Sequence, residues 1–525
     1  MSFKKIKAIL IGRIYILNRI FLRHLTNSKL FKRDYFIILD KLKDENMELV
    51  DNFVFFLYLL NKNQNAYYMV RKNNKFIDFN KYNKNLIIVR TNRFLSFKFY
   101  FLLLKTKYIL DSYQVLSSYG ISNILCDSKI NFIYTQHGIN FFKTHYIKNS
   151  LVVGDEHFNS ICFSMFGEEL LFSHFNYPKE RMIFNGLFRW ENINPNKERL
   201  VFIFFSHRGY VKNFSNPLKS RYFLSIMEIY EKLKQNGVNV KIAFHHVLKE
   251  TFNVINCDFI KQEEISLIKQ QASLLITDYS SMAFDFMIYD KPVVFYDPDA
   301  NLLCLDIESI NEKKHFNSIK NRLYNITTSI DEAIEKVFEY HNNNYELEEK
   351  FKIINKSIFI NKTNICDNFY KILLKLNDPD PFLAVATPSK LTLPFTGVTN
   401  EFRVVGLSTK EVSGRWSCSD QVAFYFNFDR YLDYDLKFNL HSIRKMKVSI
   451  FINDVYYSKR IIRNKSKIKY QLDFKITKNT LIKNEGKLKL ILKINTPLRP
   501  LDLGINKDKR FLALFFKQII IKGYE

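Results

Sequence analysis

The chain has 525 residues, and its 79 Lys and Arg against 52 Asp and Glu give a formal charge of +27. Hydrophobic residues make up 47% and aromatic residues 16%, which excludes a disordered or collagen-like chain and, at this length, predicts roughly two to four domains. The basic balance indicates an anionic partner, but charge alone does not choose among a membrane surface, a phosphorylated substrate and nucleic acid.

The first 33 residues form a basic segment with nine Lys and Arg and no acid. Its charges alternate with Ile and Leu, which predicts a helix lying on an anionic membrane leaflet. A basic helix packed on its own domain is the alternative. No run of about 18 uncharged apolar residues follows. The six cysteines are far apart and lack C-x-x-C spacing, which favours a reducing compartment over a secreted protein. Together with the basic N-terminal segment, this predicts a cytoplasmic protein attached peripherally to the membrane.

Residues 34–195 alternate short apolar runs with amphipathic stretches, which predicts a parallel sheet flanked by helices. The predicted strands are 66–70, 86–89, 108–110 and 132–134, and the predicted helices are 52–60 and 96–104. Residues 196–378 repeat this alternation. Its predicted strands are 200–205, 238–244, 274–276 and 292–296, and its predicted helices are 222–236, 263–271 and 282–289.

Two Rossmann-like halves in tandem predict a GT-B-like α/β fold with a ligand in the cleft between the halves. Beyond residue 385 the pattern changes to alternation with a period of two, as in 447–452 and 487–494. Residues 385–525 are therefore predicted to form an all-β sandwich. Within it, Arg415 and Trp416 could contact a glycan phosphate, or Trp416 could belong to the core.

The segment from Leu274 to Phe286 carries the clearest chemical signal. An apolar strand runs into Asp278-Tyr279-Ser280-Ser281 and then directly into a helix. Unpaired backbone N–H groups at a helix start bind phosphate, so Asp278, Ser280 and Ser281 are candidate phosphate-binding residues. Ordinary capping of the helix by a serine is the alternative.

Further polar residues follow predicted strands. His137 and Gly138 follow the strand at 132–134, with Lys143 beyond. Arg208 follows 200–205, and His245 and His246 follow 238–244. A single histidine at a strand end is often only structural, but four such positions are predicted to converge on one cleft. Asp297-Pro298-Asp299 and Asp378-Pro379-Asp380 have a metal-type Asp-x-Asp spacing, but the central proline favours turns, so neither a metal nor a cofactor is expected.

Residues 274–296, including Lys291-Pro292-Val293-Val294-Phe295-Tyr296, resemble the bacterial CDP-glycerol glycerophosphotransferases, which include teichoic acid polymerases, primases and capsule polymerases. The resemblance extends over about residues 50–375. It implies a GT-B fold and transfer of glycerol phosphate or ribitol phosphate from a CDP-activated donor to a growing surface polymer.

The resemblance also implies roles for individual residues. His137 corresponds to the family's catalytic base, and His245 to a histidine that lies against the diphosphate, so both are candidate catalytic residues. His246 stands where the family has proline and is a candidate for donor binding. Arg208 corresponds to a donor-binding arginine, and the resemblance likewise assigns Asp278, Ser280 and Ser281 to the donor. Residues 185–189 resemble an acceptor segment in which Phe188 replaces proline, so Arg189, together with Gly138 and Lys143, is a candidate for acceptor binding.

The expected partners are a CDP-activated polyol, a phosphate-containing glycan acceptor and the inner face of the bacterial cell membrane, with no nucleic acid. A GT-B glycosyltransferase that uses a nucleotide-sugar is the alternative enzyme. A non-catalytic polysaccharide-binding scaffold is the alternative from another class.

Overall fold

The structure is a computed structural model of the 525-residue chain. It describes residues 21, 32–40, 51–71, 79–89, 97–112, 128–136, 138–139, 159–168, 181–191, 198–206, 217–244, 260, 264–278, 280–296, 322–378, 382, 386–395, 402–407, 414–417, 420–442, 445–462, 470–494 and 513–525.

The first sheet has seven parallel strands in the order β3-β2-β1-β4-β5-β6-β7. They are β1 (Tyr35–Leu39), β2 (Ala66–Arg71), β3 (Leu86–Val89), β4 (Thr106–Asp111), β5 (Asn131–Tyr134), β6 (Ser160–Phe163) and β7 (Met182–Phe184). The accompanying helices are α1 (Asp51–Asn61), α2 (Phe79–Tyr82) and α3 (Phe97–Leu103). The strand order reverses direction between β1 and β4, and such a switch point opens a crevice at the carboxyl ends of the strands.

The second sheet has five parallel strands in the order β12-β11-β10-β8-β9. They are β8 (Glu198–Phe205), β9 (Val240–Phe244), β10 (Ala272–Thr277), β11 (Val293–Tyr296) and β12 (Ile326–Thr327). The helices are α4 (Arg221–Gln235), α5 (Ile265–Gln271), α6 (Met282–Met287), α7 (Ile330–Asn342), α8 (Glu349–Ile358) and α9 (Ile365–Lys375). Strand β10 is fully buried, as expected for a central strand covered on both faces.

The C-terminal part contains two antiparallel sheets. One has the order β13-β22-β17-β20, with β15 also pairing with β22, and the other has the order β14-β16-β21-β18-β19. Their strands are β13 (Lys390–Pro394), β14 (Arg403–Val405), β15 (Arg415–Trp416), β16 (Gln421–Asn427), β17 (Asp433–Ser442), β18 (Met446–Ile452), β19 (Val455–Ile462), β20 (Tyr470–Ile476), β21 (Lys487–Ile494) and β22 (Leu514–Tyr524), with helix α10 (Lys478–Lys483).

Burial alternates residue by residue along β17, because one face of each C-terminal sheet contributes to a shared core and the other faces outward. Trp416 packs against Phe515 and His441, with ring centroids 4.9 and 5.6 Å away. Two parallel sheets followed by antiparallel C-terminal sheets confirm the fold class expected from the sequence.

Helix α9 follows the second sheet but packs against the first. Phe369 meets Phe55 and Phe188 edge to face, with centroids 5.1 and 4.9 Å apart. The Tyr108 hydroxyl donates to the carbonyl of Leu373, at 2.5 Å. The end of the second α/β unit is therefore built into the first. Within the part of the chain that the structure describes, no helix has both the length and the apolar character needed to cross a bilayer.

Candidate functional site

The carboxyl edge of the first sheet carries a buried polar network around Asn52, in the first turn of α1. Its side-chain amide donates to the carbonyl of Leu39 at 2.7 Å, and its backbone N–H donates to Asp40 at 3.2 Å. Asp40 also accepts from the Ser112 hydroxyl at 2.6 Å. The Thr135 hydroxyl donates to the Asn52 oxygen at 2.8 Å. The ends of β1, β4 and β5 are thus fixed to α1.

The turn after β5 is strained and buried. Gln136 has a φ of +60°, a region that a residue other than glycine enters at a cost of about 1–3 kcal/mol. Its side-chain amide donates to the carbonyl of Cys162 at 2.6 Å. Its amide oxygen is buried and has no hydrogen-bond partner in the structure described above. Strain and an unsatisfied acceptor next to His137 are features of functional sites. His137 and Lys143 themselves lie outside the described residues.

The second sheet presents its own turn after β10. Asp278 is buried, and its carboxylate accepts from the backbone N–H of Ser206 at 2.9 Å and from the Ser206 hydroxyl at 2.5 Å. The carbonyl of Ser206 accepts from the Tyr222 hydroxyl at 2.7 Å. Asp278 therefore fixes the end of β8, two residues before Arg208. Arg208, His245 and His246 lie outside the described residues.

Both serines of the turn are described, whereas Tyr279 between them and Asp278 lies outside the described residues. Ser280 is buried, and its hydroxyl accepts from the N–H of Met282 at 3.3 Å. Ser280 therefore pairs with a backbone N–H group at the start of α6, as the capping alternative predicts for a serine. Ser281 is partly exposed, and its side chain makes no capping hydrogen bond. Ser281 is therefore the serine whose hydroxyl is not committed to α6.

The two turns meet across the crevice. A Cβ atom added to Gly138 would lie 3.2 Å from the Ser281 hydroxyl oxygen, so the Gly138 backbone approaches the Ser281 side chain more closely than most Cβ contacts allow. Gly138 belongs to the turn after β5, and Ser281 immediately precedes α6. The structure therefore brings together two of the segments that the sequence singled out.

A buried ion cluster lies beside this contact. The Arg189 guanidinium forms an ion pair with Asp51 of α1 and another with Asp285 of α6, where Nη2 and Oδ1 are 2.8 Å apart. Asp285 also accepts from the Trp190 indole at 2.7 Å and from Lys269 at 3.0 Å. All four charged side chains are at most 11% exposed. Arg189, a candidate for acceptor binding, is thus held between the two α/β units.

Contacts and short chain segments together form a closed ring. It runs from Thr135 through Asn52 and Asp51 to Arg189, then through Asp285 and α6 to Ser281, and back to Gly138. Sequence reasoning missed Asp51 and the role of Asp285. The available signal was a carboxylate in the apolar run Met282–Met287, since a buried acid requires a partner.

The pKa values of this cluster follow from burial and neighbouring charge. Burial alone would raise the pKa of Asp285, but the charges of Arg189 and Lys269 and the indole of Trp190 hold it at about 2. Burial raises the pKa of Asp51, with Arg189 acting in the opposite direction. Asp285 is therefore the firmly ionised partner of Arg189.

Lys291, which belongs to the segment that carries the sequence resemblance, makes hydrogen bonds to the backbone. Its ammonium donates to the carbonyls of Gln270 and Ala272, at 2.5 and 2.7 Å. These groups lie where β10 begins, at the opposite end of the strand from Ser280. The segment 297–299 lies outside the described residues, as do 379–380.

Residues 192–360 match the CDP-Glycerol:Poly(glycerophosphate) glycerophosphotransferase family. The minor teichoic acid biosynthesis protein GgaB of Bacillus subtilis (strain 168) is 23% identical over 369 residues, which are 62% of this chain and 38% of that protein. The teichoic acid poly(glycerol phosphate) polymerase of the same organism is 28% identical over 144 residues, covering 25% and 18%. The chain thus spans well under half the length of either relative.

Among solved structures, the wall teichoic acid polymerase TagF superposes with a TM-score of 0.46 at 14% identity. The superposition covers 71% of this chain and 99% of that one.

Proposed function

We propose that this chain transfers a polyol phosphate from a CDP-activated donor to a hydroxyl of a growing surface polymer. The match of residues 192–360 to the CDP-Glycerol:Poly(glycerophosphate) glycerophosphotransferase family supports this proposal. The donor is CDP-glycerol or CDP-ribitol, and CMP is released. The observation that carries the proposal is the close approach of Gly138 to Ser281, since Ser281 lies in the matched segment and Gly138 adjoins the candidate base.

In the proposed reaction, the acceptor oxygen attacks the phosphorus that bears the polyol. The bond from that phosphorus to the bridging oxygen breaks, and the electron pair leaves with CMP. His137 takes the proton of the acceptor hydroxyl, as a neutral imidazole can near neutral pH. Phosphoryl transfer requires mainly in-line positioning and charge neutralisation, and the proposal assigns these to Ser281, Arg208 and His245.

Five further candidate residues have these roles in the proposal. Asp278 positions the segment that leads to Arg208, because both of its oxygens are engaged by Ser206. His246 remains a donor-side candidate. Arg189 positions α6 rather than contacting the acceptor, because its guanidinium is already engaged by two carboxylates. Lys143 and Gly138 are assigned to acceptor binding.

The decisive experiment measures CMP release and product linkage. The purified chain is incubated with CDP-glycerol, CDP-ribitol or a nucleotide-sugar, each with and without a glycerol-phosphate acceptor. Acceptor-dependent CMP release with a new phosphodiester supports the proposal. A glycosidic product from the nucleotide-sugar would identify a glycosyltransferase, and binding of the acceptor without any turnover would identify a scaffold.

Two variants test the residue roles. Replacing His137 with Ala is expected to abolish transfer, whereas His341→Ala, far along the chain on α7, should leave it unchanged. Replacing Ser280 and Ser281 with Ala should weaken donor binding at least about tenfold, because hydrogen bonds to charged groups contribute roughly 1.5–3 kcal/mol each.

Ser329→Ala is the matched control for the serines, since Ser329 caps α7 by accepting from the N–H of Glu332 at 3.2 Å. That variant should lose about 1 kcal/mol of stability without affecting donor affinity. If the double serine variant and the parent chain bind the donor with equal affinity, Ser280 and Ser281 do not bind it, and capping of α6 is the remaining explanation for them.

A further inference from the structure

The second antiparallel sheet differs from the rest of the C-terminal part in its charge. Its five strands, β14, β16, β18, β19 and β21, contain no Asp or Glu. They carry seven basic residues, which are Arg403, Lys447, Lys459, Arg460, Lys487, Lys489 and Lys493. The other sheet mixes both signs, because Asp433, Asp435 and Asp473 lie in its strands. The overall positive charge of the chain therefore does not explain the difference.

Strand register places five lysines on one face of this sheet. Ser449 of β18 pairs with Lys459 on one side and with Lys493 on the other, so these three residues form a row across three strands. Lys447, two positions before Ser449, shares its face, and Lys487 and Lys489 share the face of Lys493. Neighbouring strands lie about 4.8 Å apart and alternate residues about 7 Å apart. We call these five lysines the basic face.

Aromatic rings hold the lysine side chains of β21. The Lys493 ammonium lies 4.2 Å from the ring centroid of Phe451, and those of Lys489 and Lys487 lie 5.7 Å from the centroids of Tyr425 and Phe382. Phe382 and Phe451 also pack against a small buried apolar cluster that includes Val405, Ala423 and Ile491. Lysine stems lie along such surfaces while their charged ends stay in water.

Three lysines of the basic face are exposed and have no carboxylate partner among the residues that the structure describes. These are Lys447, Lys459 and Lys493. Lys489 differs, since it lies 3.3 Å from Asp454. By contrast, several helix lysines pair with neighbouring acids, as Lys232 does with Glu228 and Lys371 with Asp367. The basic face therefore presents positive charge that the described chain does not balance.

We propose that the basic face binds the phosphodiester chain of the polymer that the enzyme extends. This identification of the ligand rests on the proposed function, because that function defines the product as a chain with one negative charge per repeat. Lysines at regular spacing on one sheet face complement the regularly spaced charges of an extended polyanion. The polymer is favoured over a membrane surface because the apolar residue between the lysines of β21, Ile491, is buried. Ile461, which pairs with Lys447, is exposed, so the test below includes lipid vesicles.

The test uses the full chain and a synthetic poly(glycerol phosphate) oligomer, without any nucleotide donor. Replacing Lys447, Lys459 and Lys493 with Gln is expected to weaken oligomer binding at least tenfold at low salt. The matched control replaces Lys437, Lys475 and Lys522 on the other sheet with Gln, which removes the same charge from a face of mixed sign, and should change affinity less than twofold. Thermal melting of both variants confirms folding.

Equal oligomer affinity in the basic-face variant and its control would overturn the inference. The inference would also be overturned if the parent chain does not bind the oligomer but binds phosphatidylglycerol vesicles through these lysines. Transfer to a single-unit acceptor should be unchanged in the basic-face variant, while its polymer products become shorter. A parent chain without turnover on CDP-polyols would overturn the proposed function, but it would leave the donor-free binding measurement intact.

Discussion

Arg189 Nη2 and Asp285 Oδ1 lie 2.8 Å apart, and this ion pair joins the turn after the first sheet to α6, the helix that Ser281 immediately precedes. Asp51 completes the bridge from the opposite side. Because α6 carries both Asp285 and the start of the serine turn, the position of Ser281 depends on this cluster. We infer that the cluster sets the distance between donor and acceptor groups.

Asp285→Asn is expected to lower kcat for transfer at least about tenfold, because small displacements of reacting groups are costly. It should also lower the free energy of unfolding by about 3 kcal/mol, since it leaves a buried arginine with one carboxylate fewer. Transfer kinetics below the melting temperature and denaturant unfolding measure the two effects.

The control is Asp331→Asn, which removes an exposed carboxylate that accepts from Lys232 at 2.9 Å. It should change neither quantity. A purely structural role for Asp285 predicts unchanged kcat in the fraction of molecules that stays folded, and that result would remove the positioning argument.

Acid should destabilise the protein through Asp285. Its pKa is held at about 2, below the ordinary 3.8, so its ionised form contributes stability above pH 3.8 that is lost as the pH falls toward 2. The raised pKa of Asp51 acts with the opposite sign, favouring the folded state at low pH. Unfolding free energies of the parent and Asp285→Asn, measured from about pH 6 to pH 2, should converge at the acid end. If the difference in unfolding free energy between the two proteins stays constant over that range, the loss of stability in acid comes from groups other than Asp285.

Gly138→Ala should slow transfer about tenfold, because the new methyl group would lie 3.2 Å from the Ser281 hydroxyl oxygen. In a Ser281→Ala background the same change should cost less than about twofold, since the crowding atom is absent. A double-mutant cycle of initial rates measures this coupling. Additive effects of the two substitutions would show that the turns do not act on each other.

The basic N-terminal segment is expected to attach the protein to anionic membranes. Replacing the six basic residues nearest the start with Gln should move the protein to the soluble fraction, since each contributes about 1 kcal/mol of membrane affinity. These residues are Lys4, Lys5, Lys7, Arg13, Arg19 and Arg23. The segment lies outside the described residues except for Phe21, Lys32 and Arg33.

The matched control for this segment replaces six exposed helix lysines with Gln, namely Lys232, Lys336, Lys350, Lys356, Lys371 and Lys375. It should leave the distribution unchanged. Equal loss of membrane association in both variants would indicate a general charge effect.

Much of the α/β framework could be predicted from the sequence, because buried parallel strands appear as apolar runs. The run at 86–89 coincides with β3, and the alternation at 487–494 coincides with β21. Strands β6 and β7 were not predicted. Strand β6 is as short as β3, but Ser160 interrupts the uniformly aliphatic character that β3 has, and β7 has only three residues.

The candidate site also contains residues that could be predicted from the sequence and residues that could not. Ser280, Ser281 and Gly138 could be singled out from the sequence because they follow apolar strands, and the residues after parallel strands lie at the carboxyl edge of their sheet. The ion cluster was not found, because Arg189 lies 138 residues from Asp51 and 96 from Asp285 in the chain. Local periodicity carries no information about pairs so far apart, and only the tertiary fold determines them.

Helix α9 lies beyond residue 360, where the family match ends, yet its Phe369 packs edge to face against both Phe55 and Phe188, which stack on each other in the first unit. Expression of residues 192–360 alone would therefore omit both the first unit and the helix that packs against it. A recombinant fragment should therefore retain both the residues before 192 and the chain to at least residue 375. Without them, the apolar surface that these three aromatic rings cover would be exposed to solvent and would promote aggregation.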